Sequence, residues 1–169
     1  FISSRTNNRL DEFGGCFENR MRLPRLIIEN IRKKTGGKMP ILCRINASDD
    51  IEGGQTIQDA AAVAAYLVEE CGVNALHVSR AVHVHDEFMW APGAVHGGFS
   101  APLVEEIKRA VDVPIITVGR YTEPQYAELL VREGRIDLVA FGRQSLADPE
   151  MPNKAKNGNL DSMTPCIGC

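Results

Sequence analysis

The sequence predicts an α/β fold in which helices cover a parallel sheet. Four short apolar runs carry the expectation: Pro40 to Ile45, Ala75 to Ser79, Pro114 to Val118 and Asp137 to Phe141. Each is rich in Ile, Val and Leu and has Gly or Pro nearby. Segments of helical period separate the runs, and strands this apolar alternating with helices call for a sheet buried under helices. Four strand–helix units amount to about half of a (β/α)8 barrel, which takes roughly 250 residues. The competing architecture is an open doubly wound sheet. It is weakened because no G-x-G-x-x-G follows any strand. The pattern favours half of a TIM barrel.

Taken in order, Phe17, Met21, Pro24, Ile27, Ile28 and Ile31 place an apolar stripe on a helix that ends near Gly36-Gly37. Ile57, Ala61, Ala64, Leu67 and Val68 make a second helix, with Gly72 as its stop. Ser100 precedes a third, with Pro102 early, Glu105 and Glu106 in the front half, and Lys108 and Arg109 behind, as the helix dipole favours. Thr122, with Gln125 three residues on, reads as a capping box opening a fourth helix that Gly134 closes. Short helical pieces follow the last strand.

Composition excludes several classes. The 169 residues, 44% apolar and 24% charged, fit one soluble globular domain large enough to bury a core. A net charge of -3 argues against nucleic-acid binding. Apolar runs such as Ala60 to Ala65 are too short to cross a bilayer, and Phe1-Ile-Ser-Ser-Arg has no signal-peptide pattern. Five cysteines are too sparse for a disulfide scaffold and fit a reducing cytoplasm. The missing initiator Met points to a piece of a longer protein.

Strand alternation sends Arg44, with Leu42 and Asn46, to the sheet face opposite Ile41, Cys43 and Ile45. A guanidinium there needs an anionic or polar partner. Asp49 or Asp50 at the strand end is one choice; a ligand at the C-terminal rim, where barrel enzymes keep their sites, is the favoured one. Two later strands end alike, in IITVGR at residues 115–120 and LVAFGR at residues 138–143. One Gly-Arg after a strand is a turn. Two at matching positions, Gly119-Arg120 and Gly142-Arg143, describe a phosphate site of backbone N–H groups and forked cations. His77 and Ser79 share a face, and His77 is equally readable as a satisfied core histidine. His83, His85 and His96 lie in an irregular stretch, Arg80 to Phe99, long enough to be a lid or substrate-contacting surface. No Ser-centred elbow or helical His-x-x-x-His zinc motif occurs. Cys166 and Cys169 form a CxxC in a Pro/Gly-containing tail. It is poorly placed for thioredoxin-like chemistry and two thiols short of a zinc or iron–sulfur site.

With these pieces in hand, the chain resembles the old yellow enzyme family of NADH:flavin oxidoreductases, and within it the iron–sulfur branch of 2,4-dienoyl-CoA reductase and trimethylamine dehydrogenase. FISSRTNNRLDEFGGCFENRMR is similar to the family's loop after barrel strand 4. RINASD, LHVS, ITVGR and AFGRQSLADPE are similar to the ends of strands 5 to 8, and CIGC to the opening of a four-cysteine cluster motif. Two residues depart from the family pattern: Arg80 stands where relatives often carry glycine, and Phe13 replaces a tyrosine.

The resemblance implies the C-terminal half of a TIM barrel over residues 1–160 and the start of an iron–sulfur segment over 161–169. It implies FMN, with Arg44 at the pyrimidine end of the isoalloxazine and Gly119, Arg120, Gly142 and Arg143 at the phosphate. NAD(P)H would reduce the flavin, which would reduce the alkene of an enone or enoyl thioester. His83 falls near the histidine implicated in dienoyl-CoA reduction, with His85 a close rival. Cys166 and Cys169 would be two ligands of a [4Fe–4S] cluster in the parent, with a further flavin, an FAD, in a following domain. No nucleic acid or membrane is expected as a partner. The fragment alone is expected to lack activity and, with exposed strand edges, to self-associate. Two rivals are weighed against this. One is a flavin-free phosphate-binding barrel, which usually wants a strand-end lysine absent here; the other is a non-catalytic oligomerisation piece.

Overall fold

The structure, a computed structural model, describes residues 1–82 and 90–169. His83 and His85 lie outside the described residues. The chain runs α1 (Phe17–Thr35), β1 (Leu42–Asn46), α2 (Ile57–Glu69), β2 (Ala75–Ser79), α3 (Ala101–Ala110), β3 (Ile115–Val118), α4 (Pro124–Arg132) and β4 (Leu138–Ala140). Two short helices, α5 (Arg143–Ala147) and α6 (Met151–Lys156), and a 3-10 turn (Leu160–Ser162) follow.

Among the described residues, the four strands make one sheet in chain order, every pair parallel. Parallel neighbours need a crossover, and α2, α3 and α4 supply them. The result is the half-barrel architecture that the alternation predicts. Pairing runs Arg44↔His77↔Ile116↔Leu138 and, two residues nearer the C-terminal rim, Val118↔Ala140 on one side and Asn46↔Ser79 on the other.

One sheet face is buried and the other is not. Ile45, Leu76, Val78, Ile115 and Thr117 are buried with Val63, Ala64 and Leu67 of α2 and Val104 and Ile107 of α3. On the opposite face Leu42 and Leu138 are 56% and 51% exposed, and Arg44 is exposed. His77 lies between, its Nε2 buried without a partner among the described residues. The reading of a satisfied core histidine therefore fails. Burial, then the nearby Arg44 charge, pushes its pKa down and keeps the ring neutral.

Two local expectations are corrected. The capping box at Thr122 and Gln125 does not form, because α4 starts on Pro124 with Glu123 at its N-cap. Proline fixes the first helical position, so Thr122 stands one residue too early to reach the free N–H groups. The reciprocal box forms instead on α2, where Thr56 Oγ1 accepts from Asp59 N–H at 3.2 Å and Asp59 Oδ2 accepts from Thr56 N–H at 2.9 Å. On α1, Met21 and Ile28 are buried, but Ile27 and Ile31 are 50% and 39% exposed. Adjacent helical residues diverge by about 100°, so Ile27 cannot share the buried line of Ile28.

Asp137 ties the base of β4 to its neighbours. It accepts from Lys108 Nζ at 2.7 and 2.8 Å and from Ile115 N–H at 2.8 Å. Burial pushes its pKa up, but those donors outweigh burial and hold it below the ordinary carboxylate value. A lowered folded pKa adds stability that is complete above the unfolded value and fades as pH falls through the folded one. Asp137→Asn is therefore expected to cost about 0.5–1 kcal/mol at pH 7. In urea titrations the gap to wild type should close toward pH 3.

Candidate functional site

Parallel pairing brings the C-terminal ends of all four strands to one rim. A cavity of about 720 Å³ opens there, and the last residue of each strand lines it: Asn46, Ser79, Val118 and Ala140. Gly119, Arg120, Gly142 and Arg143 continue the wall, so the sequence-predicted Gly-Arg pairs lie side by side. Arg44 reaches the same cavity from within β1. Its candidate carboxylate partners are engaged elsewhere. Asp49 accepts from Ser3 Oγ at 2.6 Å and Gln55 N–H at 2.9 Å, and Asp50 takes Arg80 at 2.7 and 3.1 Å. The wall thus carries four arginines, Arg44, Arg80, Arg120 and Arg143, and among the described residues no Asp or Glu. A cavity of that charge suits an anionic ligand.

Arg120 and Arg143 are aimed by the segment before α3. Arg120 Nη1 donates to Val95 O at 2.6 Å, while Arg143 donates to Trp90 O at 3.2 Å and Ala91 O at 2.8 Å. Arg120 sits at φ +54°, a conformation uncommon for a residue with a side chain. Its Nε is buried and has no partner among the described residues. A buried guanidinium donor left unpaired is costly, and an anion in the cavity is the natural complement. At Gly142 an added Cβ would meet nothing within 4 Å, so this wall is open to a ligand. Gly119 differs: a Cβ there would stand 2.2 Å from Ser100 Oγ, which donates to Val118 O at 2.6 Å. The glycine first serves that internal contact, and Ser100, expected to open α3, spends its hydroxyl on β3 rather than on a cap.

Further residues of the wall escaped the sequence reading. Tyr121 is buried against Tyr126 and Phe141 and shares a 3.2 Å hydrogen bond with Thr117 Oγ1. Burial pushes its pKa up to about 12, so the phenol is neutral at ordinary pH. Leu146 (83% exposed) and Trp90 (60% exposed) flank the opening. Arg80, where the family pattern has glycine, pairs with Asp50 and lies over the Phe99 ring at 5.7 Å. His96 is exposed.

Cys166 is half-buried and lines the cavity, whereas Cys169 is exposed. Among the described residues no three His, Cys, Asp or Glu gather as a metal site. A four-thiolate cluster therefore does not fit this chain's residues alone. The rim residues do fit a flavin phosphate, on the unpaired Arg120 Nε, the open Gly142 wall and the surplus of cations.

The pattern of the NADH:flavin oxidoreductase / NADH oxidase family matches residues 1–162. The chain belongs to this family. It is similar to an NADH oxidase of Thermoanaerobacter brockii, 44% identical over the whole chain and 26% of that protein. It is 35% identical to a metal reductase of Desulforamulus reducens, over the whole chain and 25% of that protein. Its fold superposes on 2-naphthoyl-CoA reductase in complex with 2-naphthoyl-CoA with a TM-score of 0.93 at 30% identity, covering 99% of this chain and 26% of that one. The chain thus spans about a quarter of the length of these relatives. Among the described residues no helix is long and apolar enough to cross a membrane.

Gly168 closes the tail onto this site. Its φ is +71°, and an added Cβ would lie 2.7 Å from Gly93 N and 3.0 Å from Arg120 Nε. Gly168→Ala is expected to cost about 1–3 kcal/mol locally. Hydrogen exchange should quicken across residues 162–169 while the amides of β2 and β3 stay protected.

Proposed function

We propose that this chain seats FMN in an NAD(P)H-dependent flavin oxidoreductase of the ene-reductase kind, acting on an enone or enoyl thioester. The observation that carries the reading is the strand-end cavity, with arginines from three successive strand ends and a buried, unpaired donor on Arg120. When bound, FMN would supply the redox chemistry, hydride transfer from NAD(P)H to one carbon of an alkene activated by a carbonyl, with a proton completing the reduction at the other carbon.

The chain's own residues bind and orient. Arg120 and Arg143, held in place by Val95, Trp90 and Ala91 carbonyls, present guanidinium forks to the phosphate. Gly119 and Gly142 let their backbone close on it. Arg44 places positive charge at the pyrimidine end, where reduction adds negative charge. The surrounding wall, with Trp90, Tyr121 and Phe99, limits water at the ring. His83 is the proposed catalytic histidine, with His85 as the comparison residue in mutagenesis. Cys166 and Cys169 are proposed as two of four ligands to a [4Fe–4S] cluster whose remaining ligands lie outside residues 1–169, with residues 161–169 belonging to that segment and 1–160 to the barrel. A cytoplasmic location and self-association through the outer strands β1 and β4 complete the proposal.

The test is the visible spectrum of the whole protein purified anaerobically, followed by FMN titration. Flavin bands should appear, and Arg120→Ala or Arg143→Ala should weaken FMN binding about 10- to 100-fold, the loss expected for charge-assisted hydrogen bonds. A colourless protein that takes up no FMN would overturn the reading.

A further inference from the structure

Gln144 is 1% exposed, one of the few polar side chains fully inside this structure. Burying a carboxamide costs free energy unless both of its ends are satisfied, and an aliphatic residue would fill the space more cheaply. Both ends are satisfied by the tail. Nε2 donates to Thr164 O at 2.9 Å, and Oε1 accepts from Cys166 N–H at 2.8 Å. These two backbone groups flank Pro165, and they are the pair that a parallel strand neighbour would engage. The amide of Gln144 thus engages the tail as one residue of a parallel neighbour would. The assignment of its oxygen and nitrogen is forced, since an N–H and a C=O face opposite ends.

The next turn of chain reinforces the hold. Asp148, 4% exposed, accepts from Thr164 N–H at 2.9 Å and from Lys154 Nζ at 2.8 Å. Lys154 also donates to Ser162 O at 2.9 Å. The Lys154 hydrogen bond, then that of Thr164, holds the Asp148 carboxylate below its ordinary pKa. Three residues of α5 and α6 and the segment between them therefore fix the backbone from Ser162 to Cys166. Gln144, Arg143, Leu146 and Cys166 all line the one cavity. Cys169 stands outside it, exposed, beyond the Gly168 contact with Arg120.

We propose that Gln144 is a positioning residue: it registers the tail so that the Cys166 thiol forms part of the ligand cavity's wall while Cys169 faces outward. The thiol pair then spans the wall from inside to outside, on a segment that packs against the Arg120 guanidinium. This rests on reading the cavity as the flavin seat.

The test is site-resolved alkylation of the protein with iodoacetamide, free of added metal, read by peptide mass spectrometry. Cys16 is exposed and serves as the reference, and buried Cys71 reports general unfolding. Gln144→Leu should raise the Cys166-to-Cys16 rate ratio about tenfold, the effect of losing one to two hydrogen bonds, with Cys71 still protected. Gln144→Glu keeps the acceptor for Cys166 N–H and can donate to Thr164 O only when protonated. Its ratio at neutral pH should therefore rise although the side chain fills the same space, a result that a space-filling role would not produce. FMN should slow alkylation of Cys166 in wild type and lose that effect in Gln144→Leu. An unchanged ratio in both variants overturns the proposal, as does an equal rise at Cys71 and Cys166. If FMN binds and the ratio stays put, positioning fails while the flavin reading stands. If no FMN binds but the ratio rises, the clamp stands and the flavin reading falls.

Discussion

Everything at the rim depends on the in-register parallel pairing of four strands. Arg44 opposite His77 and Val118 opposite Ala140 make every strand end at the same height. Each chain segment leaving the sheet therefore starts from the same edge. Antiparallel pairing would send half of those exits to the far side, and no single cavity would collect Asn46, Ser79, Val118 and Ala140. The helices make the parallel order possible by covering Ile45, Leu76, Val78 and Ile115, and the burial of that face is what fixes the register.

Electrostatics build on that geometry. Arginines from β1 and from the exits of β3 and β4 converge on a wall that among the described residues carries no carboxylate, and the protein manages the repulsion by other means. Carbonyl oxygens of Trp90, Ala91 and Val95 solvate two of the guanidiniums, and Asp50 neutralises Arg80. Arg120 also holds a left-handed backbone that its side chain makes costly. Such strain persists where the surrounding contacts over-determine it, and here Gly98 N–H to Gly119 O at 2.7 Å and the Val95 contact pin both sides.

Much of this was readable from local pattern. Periodicity of two in LCRIN places Arg44 and Asn46 opposite Ile45, and repetition of Gly-Arg after two strands brings Arg120 and Arg143 to one rim. What stayed hidden is non-local. Gln144 and Asp148 look like ordinary polar residues beside a turn, because the tail groups they hold lie 16 to 22 residues onward and are backbone groups. A signal did exist: a glutamine directly behind the second Gly-Arg, within a short helix. Thr122 misled because a capping box is a spacing rule, and Pro124 moved the helix start past it. Ile27 and Ile31 misled because apolar identity alone does not say which side of α1 meets the core.

The tail contact also orders the molecule in time. Chains emerge from the ribosome N-terminus first, and domains fold as units during synthesis. All four strands precede Thr164, so the sheet can pair while the cavity still lacks a side. Only when Thr164 to Gly168 has left the exit tunnel can Gln144 find its partners and Gly168 settle on Arg120. This wall of the cavity is thus finished by a segment made after all four strands, and until it packs the arginines would stand with that wall open.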